Sequence, residues 1–151
     1  MGVLRRIRRL RRRDAVLLWQ ALGAVLLARA HLWRGAHGDL RRLIEAHPIP
    51  DPTLPASRAD LAEVAWSVRN AARLVPGATC LTQASAGQLL LARRGLATTI
   101  RLSVPAQAAA PGRLAPHAWL MAGDTIVLGG TAEDYTRHRA LHDFTLPGAR
   151  T

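Results

Sequence analysis

In Leu74-Val75-Pro76-Gly77-Ala78-Thr79-Cys80-Leu81-Thr82-Gln83 the only cysteine of the chain stands where a helix should begin. Pro76 and Gly77 end the helix before them, and Thr79 is a good N-cap. Cys80 to Arg94 then reads as a helix stopped by Gly95 as its C′ residue. The only cysteine therefore stands in the first turn of a helix, with Gln83 as its neighbour one turn on. A thiol there faces unpaired N–H groups and the positive end of the helix dipole. Both favour the thiolate, the form that attacks carbonyls. Further on, His117-Ala118-Trp119-Leu120-Met121 reads as a strand with His117 and Trp119 on one side. A strand beside the Cys80 helix brings the imidazole to the thiol, which pairs a nucleophile with a base. The helix-start N–H groups can then hold an oxyanion. Spacing alone leaves a bland alternative open, because a lone cysteine is a common core residue and a lone strand histidine is often structural.

Before this stretch, Ser57 caps a helix whose Leu61, Val64, Ala65, Val68, Ala71 and Ala72 share one face. Preceding it, Pro48, Pro50, Pro52 and Pro55 make an extended connector. Leu40 to Glu45 reads as a short helix. Ala15 to Ala30 is strongly apolar, but Gln20 and Arg29 interrupt it and a membrane span needs about 20 apolar residues. It reads as a buried helix that covers one side of the domain. Residues 3–13 hold seven arginines around Leu4, Ile7 and Leu10, the pattern of a basic amphipathic helix. Such a helix suits an anionic membrane surface, nucleic acid or an acidic face of a partner, and peripheral membrane contact through residues 1–30 is one of these expectations.

After Gly95 the period becomes alternating. Thr98, Ile100, Leu102 and Val104 predict a strand with one buried face. A loop over 105–116 leads to the His117 strand, a tight turn at Ala122-Gly123-Asp124, and a third strand Thr125 to Leu128. Thr131 is expected to cap a polar helix running to about Leu141, with an irregular tail. On that helix His138 and His142 would face one way, yet no third metal ligand stands near. The organisation expected is therefore N-terminal helices over 1–47, a connector over 48–56, and a core over 57–151 that carries the chemistry.

The chain has 151 residues, enough for one domain with one core. All 21 basic residues are arginine, and the net charge is +11. Arginine favours carboxylate and phosphate partners, but with only 4 % aromatic residues a stacking platform for nucleic acid is not expected. One cysteine makes no internal disulfide and no zinc site built on cysteine pairs, which fits a reducing cytoplasm. No phosphate-binding glycine loop and no metalloprotease motif is present.

The runs Val64-Ala65-Trp66-Ser67-Val68-Arg69, Ala72 to Ala84, Leu89 to Leu96 and His117-Ala118-Trp119-Leu120 resemble the lasso-peptide leader peptidases. These are the stand-alone protease half of split biosynthetic systems, within the transglutaminase-like branch of the papain-like thiol proteases. The resemblance spans residues 57 to 130 and is most specific from Val75 to Gly95. It implies an α+β fold, with a nucleophile helix packed on a small antiparallel sheet. It implies Cys80 as nucleophile and His117 as base, with no cofactor and no metal. The implied reaction removes the leader from a ribosomally made precursor peptide. A separate leader-recognition protein would assist, and an ATP-using macrolactam cyclase would act next, all in the cytoplasm. The family's third residue, an aspartate on the strand after the histidine strand, has no counterpart here. A two-residue turn at Ala122-Gly123 would set His117 across from Leu128, so the orienting group is expected near 128 or 129, which are Leu and Gly. Asp124, Glu133 and Asp134 are the nearby carboxylates, and a backbone carbonyl is a further option; the third member is unassigned. The alternative is a catalytically impaired scaffold of the same fold.

Overall fold

A computed structural model describes residues 11–107 and 115–146. The expected α+β architecture is present. Four helices come first: α1 (Arg12–Trp33), α2 (His37–Glu45), α3 (Arg58–Ala72) and α4 (Cys80–Arg93). They are followed by β1 (Thr99–Pro105), β2 (His117–Ala122), β3 (Thr125–Leu128), the short α5 (Ala132–Thr136) and β4 (His138–Thr145). The strands form one antiparallel sheet in the order β3-β2-β1-β4. The basic helix expected over 3–13 falls, apart from its last residues, outside the described residues.

Helix α4 is the centre of the molecule: ten of its 14 residues are buried. Thr79 Oγ1 accepts a hydrogen bond from the Thr82 N–H at 3.3 Å, so the N-cap read from sequence is made. Gly95 closes the other end at φ 73°, a left-handed conformation that disfavours a Cβ. Small residues let α4 approach both neighbours closely. A Cβ on Gly87 would come within 2.6 Å of Leu120 Cδ2 and 2.8 Å of Leu128 Cδ1. On its other side, α1 packs through Ala21, Ala24, Val25 and Ala28, none more than 1 % exposed. Their side chains share one continuous core with Leu61, Val64 and Val68 of α3.

Three expectations need correction. Helix α1 is not buried all round, since Val16, Trp19, Leu26 and Trp33 are exposed. The helix after Thr131 stops at Thr136, and His138–Thr145 forms a strand beside β1. This strand is an edge with a mostly solvent-facing side-chain pattern, so it lacks the apolar alternation that marks strands locally. Its identity comes from pairing with β1. His138 and His142 consequently do not share a helix face. A bulge in the β1–β4 pairing separates them: His138 is opposite Pro105 and His142 opposite Leu102. The hairpin register also differs, because Ala122 pairs with Thr125 and a bulge then sets Leu128 opposite Leu120 rather than His117.

Candidate active site

The direction of α4 over the sheet follows from its contacts. Buried Gln88 donates through Nε2 to the carbonyls of Thr98 (3.0 Å) and Phe144 (3.3 Å). The C-terminal half of α4 therefore lies at the start of β1, and its N-terminus points to the end of β1. There Ser103 pairs with His117, the first residue of β2. Gly87 sits over Leu120. Cys80 is seven residues before Gly87, about 10 Å along the helix, and His117 is three residues before Leu120, about 10 Å along the strand. Cys80 and His117 thus occupy the same end of the helix–sheet stack.

They reach that end from different sides. Cys80, Ala84, Gly87 and Leu91 repeat at helical spacing on the sheet-facing side of α4. In the sheet, Ala118, Leu120, Ile100 and Leu102 face the helical core. Strand alternation places His117 and Trp119 on the reverse face. The imidazole would have to reach the thiol around the end of the sheet rather than across its face. No hydrogen bond joins Cys80 to His117 among the described residues, and catalytic bonds in unliganded sites are often long. Cys80 is half-buried and free. Its own N–H and that of Leu81 lie in the first turn, where a helix supplies no acceptor, so they are available to a developing oxyanion.

His117 is firmly held. Its Nε2 lies 2.6 Å from the Gly129 carbonyl oxygen. A carbonyl only accepts, so Nε2 carries the proton and Nδ1 is left as the basic nitrogen. The ring packs edge-on against Trp119, centroids 4.6 Å apart, and lies 5.6 Å from the His138 ring. Trp119 is fully buried, and its indole N–H donates to Ser103 Oγ at 2.7 Å. Tyr135 and His138 cover its other edges. This second small core, on the sheet face away from α4, fixes the imidazole.

The group bonded to the His117 ring is a main-chain oxygen, that of Gly129. Gly129 has φ 125°, and a Cβ there would lie 2.7 Å from Trp119 Cε3 and 3.0 Å from the Ala118 carbonyl. Gly130 has φ 148°. No side chain fits this turn without strain, so it presents a carbonyl where a carboxylate was sought. None of the three candidate carboxylates bonds to His117 among the described residues. Asp124 is in the hairpin turn at the other end of β2 and β3. Glu133 pairs with Arg137 at 2.5 Å. Asp134 caps α5, accepting from the Thr131 hydroxyl (2.7 Å) and N–H (3.1 Å). Those bonds hold its carboxyl below the usual range.

Two features escaped the sequence reading. Arg101 and Asp143 form a two-pronged ion pair across β1 and β4 (2.8 and 2.6 Å), and Arg101 also donates to the Tyr135 hydroxyl. The Arg101 hydrogen bonds lower the Asp143 carboxyl and raise the guanidinium. Beside this network lies a cleft of about 840 Å³, bounded by Pro52 to Ala56 and by the hairpin turn. It is at the opposite end of the sheet from His117. Finding either from sequence required knowing that β4 exists. Among the described residues no cluster of three metal-ligating side chains occurs.

A family model for the transglutaminase-like superfamily matches residues 24–141. The chain belongs to the transglutaminase-like superfamily. That superfamily includes cysteine peptidases, and its matched region here begins within α1. No curated protein matches the chain, and no solved structure matches it.

Proposed function

We propose that this chain is a cysteine peptidase that removes the leader from a ribosomally made lasso-peptide precursor. It works with a separate leader-recognition protein and upstream of a macrolactam cyclase. The observation that carries the peptidase reading is Cys80 in the capped first turn of α4, at the same end of the stack as an anchored His117. Superfamily membership supports the chemistry. The choice of a lasso leader rests on the resemblance carried by residues 64–96 and 117–120.

In this reading Nδ1 of His117 takes the Cys80 proton and the thiolate attacks the scissile carbonyl. The Cys80 and Leu81 N–H groups stabilise the oxyanion. The imidazolium then donates its Nδ1 proton to the leaving amine, and water hydrolyses the thioester. The Gly129 carbonyl keeps Nε2 protonated throughout. It offers a dipole rather than a full negative charge to the imidazolium, so turnover is slower than with a carboxylate. Loss of a charged orienter costs orders of magnitude in rate without abolishing thiol chemistry.

The missing carboxylate also favours a second reading, an impaired scaffold of the same fold that holds the leader for another enzyme. Cleavage of precursor peptides by wild type and Cys80→Ala, with and without the leader-recognition partner, separates the two. Cleavage at the leader–core junction that Cys80→Ala abolishes is the expected result. If neither protein cuts any precursor while the pathway still works with Cys80→Ala in place, the scaffold reading replaces the peptidase.

A further inference from the structure

Helix α1 has two apolar faces, and the domain uses only one. Its inner face, Ala21, Ala24, Val25 and Ala28, is sealed against α3 and α4. Its outer face carries Val16, Trp19, Gly23, Leu26, Ala30 and Trp33, spaced alternately by three and four residues and all exposed. The large members are exposed by 55 % (Val16), 75 % (Trp19), 50 % (Leu26) and 75 % (Trp33). Such a run makes a straight apolar stripe about 25 Å long. Proteins that stay free in water seldom leave a continuous stripe of this kind bare.

We propose that this stripe lies in the plane of an anionic lipid surface and attaches the protein to a membrane. Charge selects this occupant. Arg5, Arg6, Arg8, Arg9, Arg11, Arg12 and Arg13 lead into the stripe, and Arg34 follows it. The acidic residue nearest its start, Asp14, is turned to the Arg11 N–H. A second copy would meet arginine at both ends of the stripe, in either alignment. Anionic headgroups meet the same arginines favourably, while the acyl boundary accepts the apolar side chains. The two tryptophans suit that boundary, where an apolar ring with one N–H donor is at home. By length and composition α1 is also able to cross a bilayer. Its inner half is docked on the domain through the buried alanines and Val25, so the helix lies along the surface.

The attachment is independent of the chemistry at Cys80, and Cys80→Ala must bind membranes as wild type does. The test is co-sedimentation of the whole chain with phosphatidylcholine vesicles and with vesicles that also contain phosphatidylglycerol. Expected is binding to the anionic vesicles, weakened by added salt, with a fall of about tenfold or more in the Trp19→Gln/Leu26→Gln/Trp33→Gln variant. These side chains are exposed, so circular dichroism should show the variant folded. Quenching of wild-type tryptophan fluorescence by brominated lipid provides a reading that needs no variant. The proposal falls if wild type stays with the supernatant and its fluorescence is unquenched. It also falls if the folded variant binds equally well, or if ultracentrifugation shows a dimer that the variant dissolves.

Discussion

Gly87 offers a sharp test of how α4 is seated on the sheet. It lies inside a helix, where replacing glycine by alanine is ordinarily favourable by about 1 kcal/mol. Here the added Cβ would sit 2.6 Å from Leu120 Cδ2 and 2.8 Å from Leu128 Cδ1. Both leucines are at most 2 % exposed, so their methyl groups have no free space to move into. Overpacking of this kind costs about 1–3 kcal/mol. Gly87→Ala should therefore range from neutral to about 2 kcal/mol less stable once the helical gain is subtracted. Gly23 of α1 is the control, because a Cβ there meets nothing within 4 Å. Gly23→Ala should gain about 1 kcal/mol, which raises the melting midpoint by about 2–4 °C in a chain of this size. Urea unfolding followed by tryptophan fluorescence reads both. The two variants should differ by about 1–3 kcal/mol. Equal stabilisation by both would show that α4 does not press on Leu120 and Leu128, and Cys80 would then not be level with His117.

Gly129→Ala forces a Cβ into a positive-φ turn and against Trp119, so thermal unfolding should show a loss of about 2–4 kcal/mol. Gly123→Ala, at φ 57° in open space, should cost only about 1 kcal/mol. In an active preparation Gly129→Ala should also slow cleavage beyond what its unfolded fraction accounts for, because the His117 partner moves; an undiminished rate would remove the carbonyl from the mechanism. Asp143→Asn should cost about 1–2 kcal/mol near neutral pH, allowing for partial solvent screening of the Arg101 pair. The Asp143 carboxyl is held down in the folded protein by the Arg101 hydrogen bonds. Its stabilisation is therefore complete above the ordinary aspartate value of about 3.9 and is lost as the pH falls through the lower folded value. The stability gap between wild type and Asp143→Asn should close over that acid range, and a gap independent of pH would contradict the ion-pair account.

The helices of this chain were legible because their signals are local. Thr79 and Ser57 cap where a cap was read, Gly95 stops α4, and the apolar face of α3 is the face that is buried. The hairpin from His117 to Leu128 was legible for the same reason, since alternation and a glycine turn lie within a dozen residues. Cys80 and His117 stood out by residue type, but the register that set His117 across from Leu128 was not the one the hairpin adopts.

What each residue does at those places was decided between segments distant in sequence. Strand β4 reads as polar helix or tail until β1 supplies its hydrogen-bond partners. A turn that pairs Ala122 with Thr125, together with a bulge between Leu120 and Met121, moves Leu128 away from His117, and the Gly129 carbonyl meets the ring. Apolar composition likewise marked α1 as a buried helix covering one side of the domain, although only contact with α3 and α4 determines which of its faces is covered. Hydrophobic period and capping are properties of neighbours along the chain, so the sequence determines which segments are helix or hairpin. Register, bulges and the choice of buried face depend on pairing across space, and only the tertiary structure determines them.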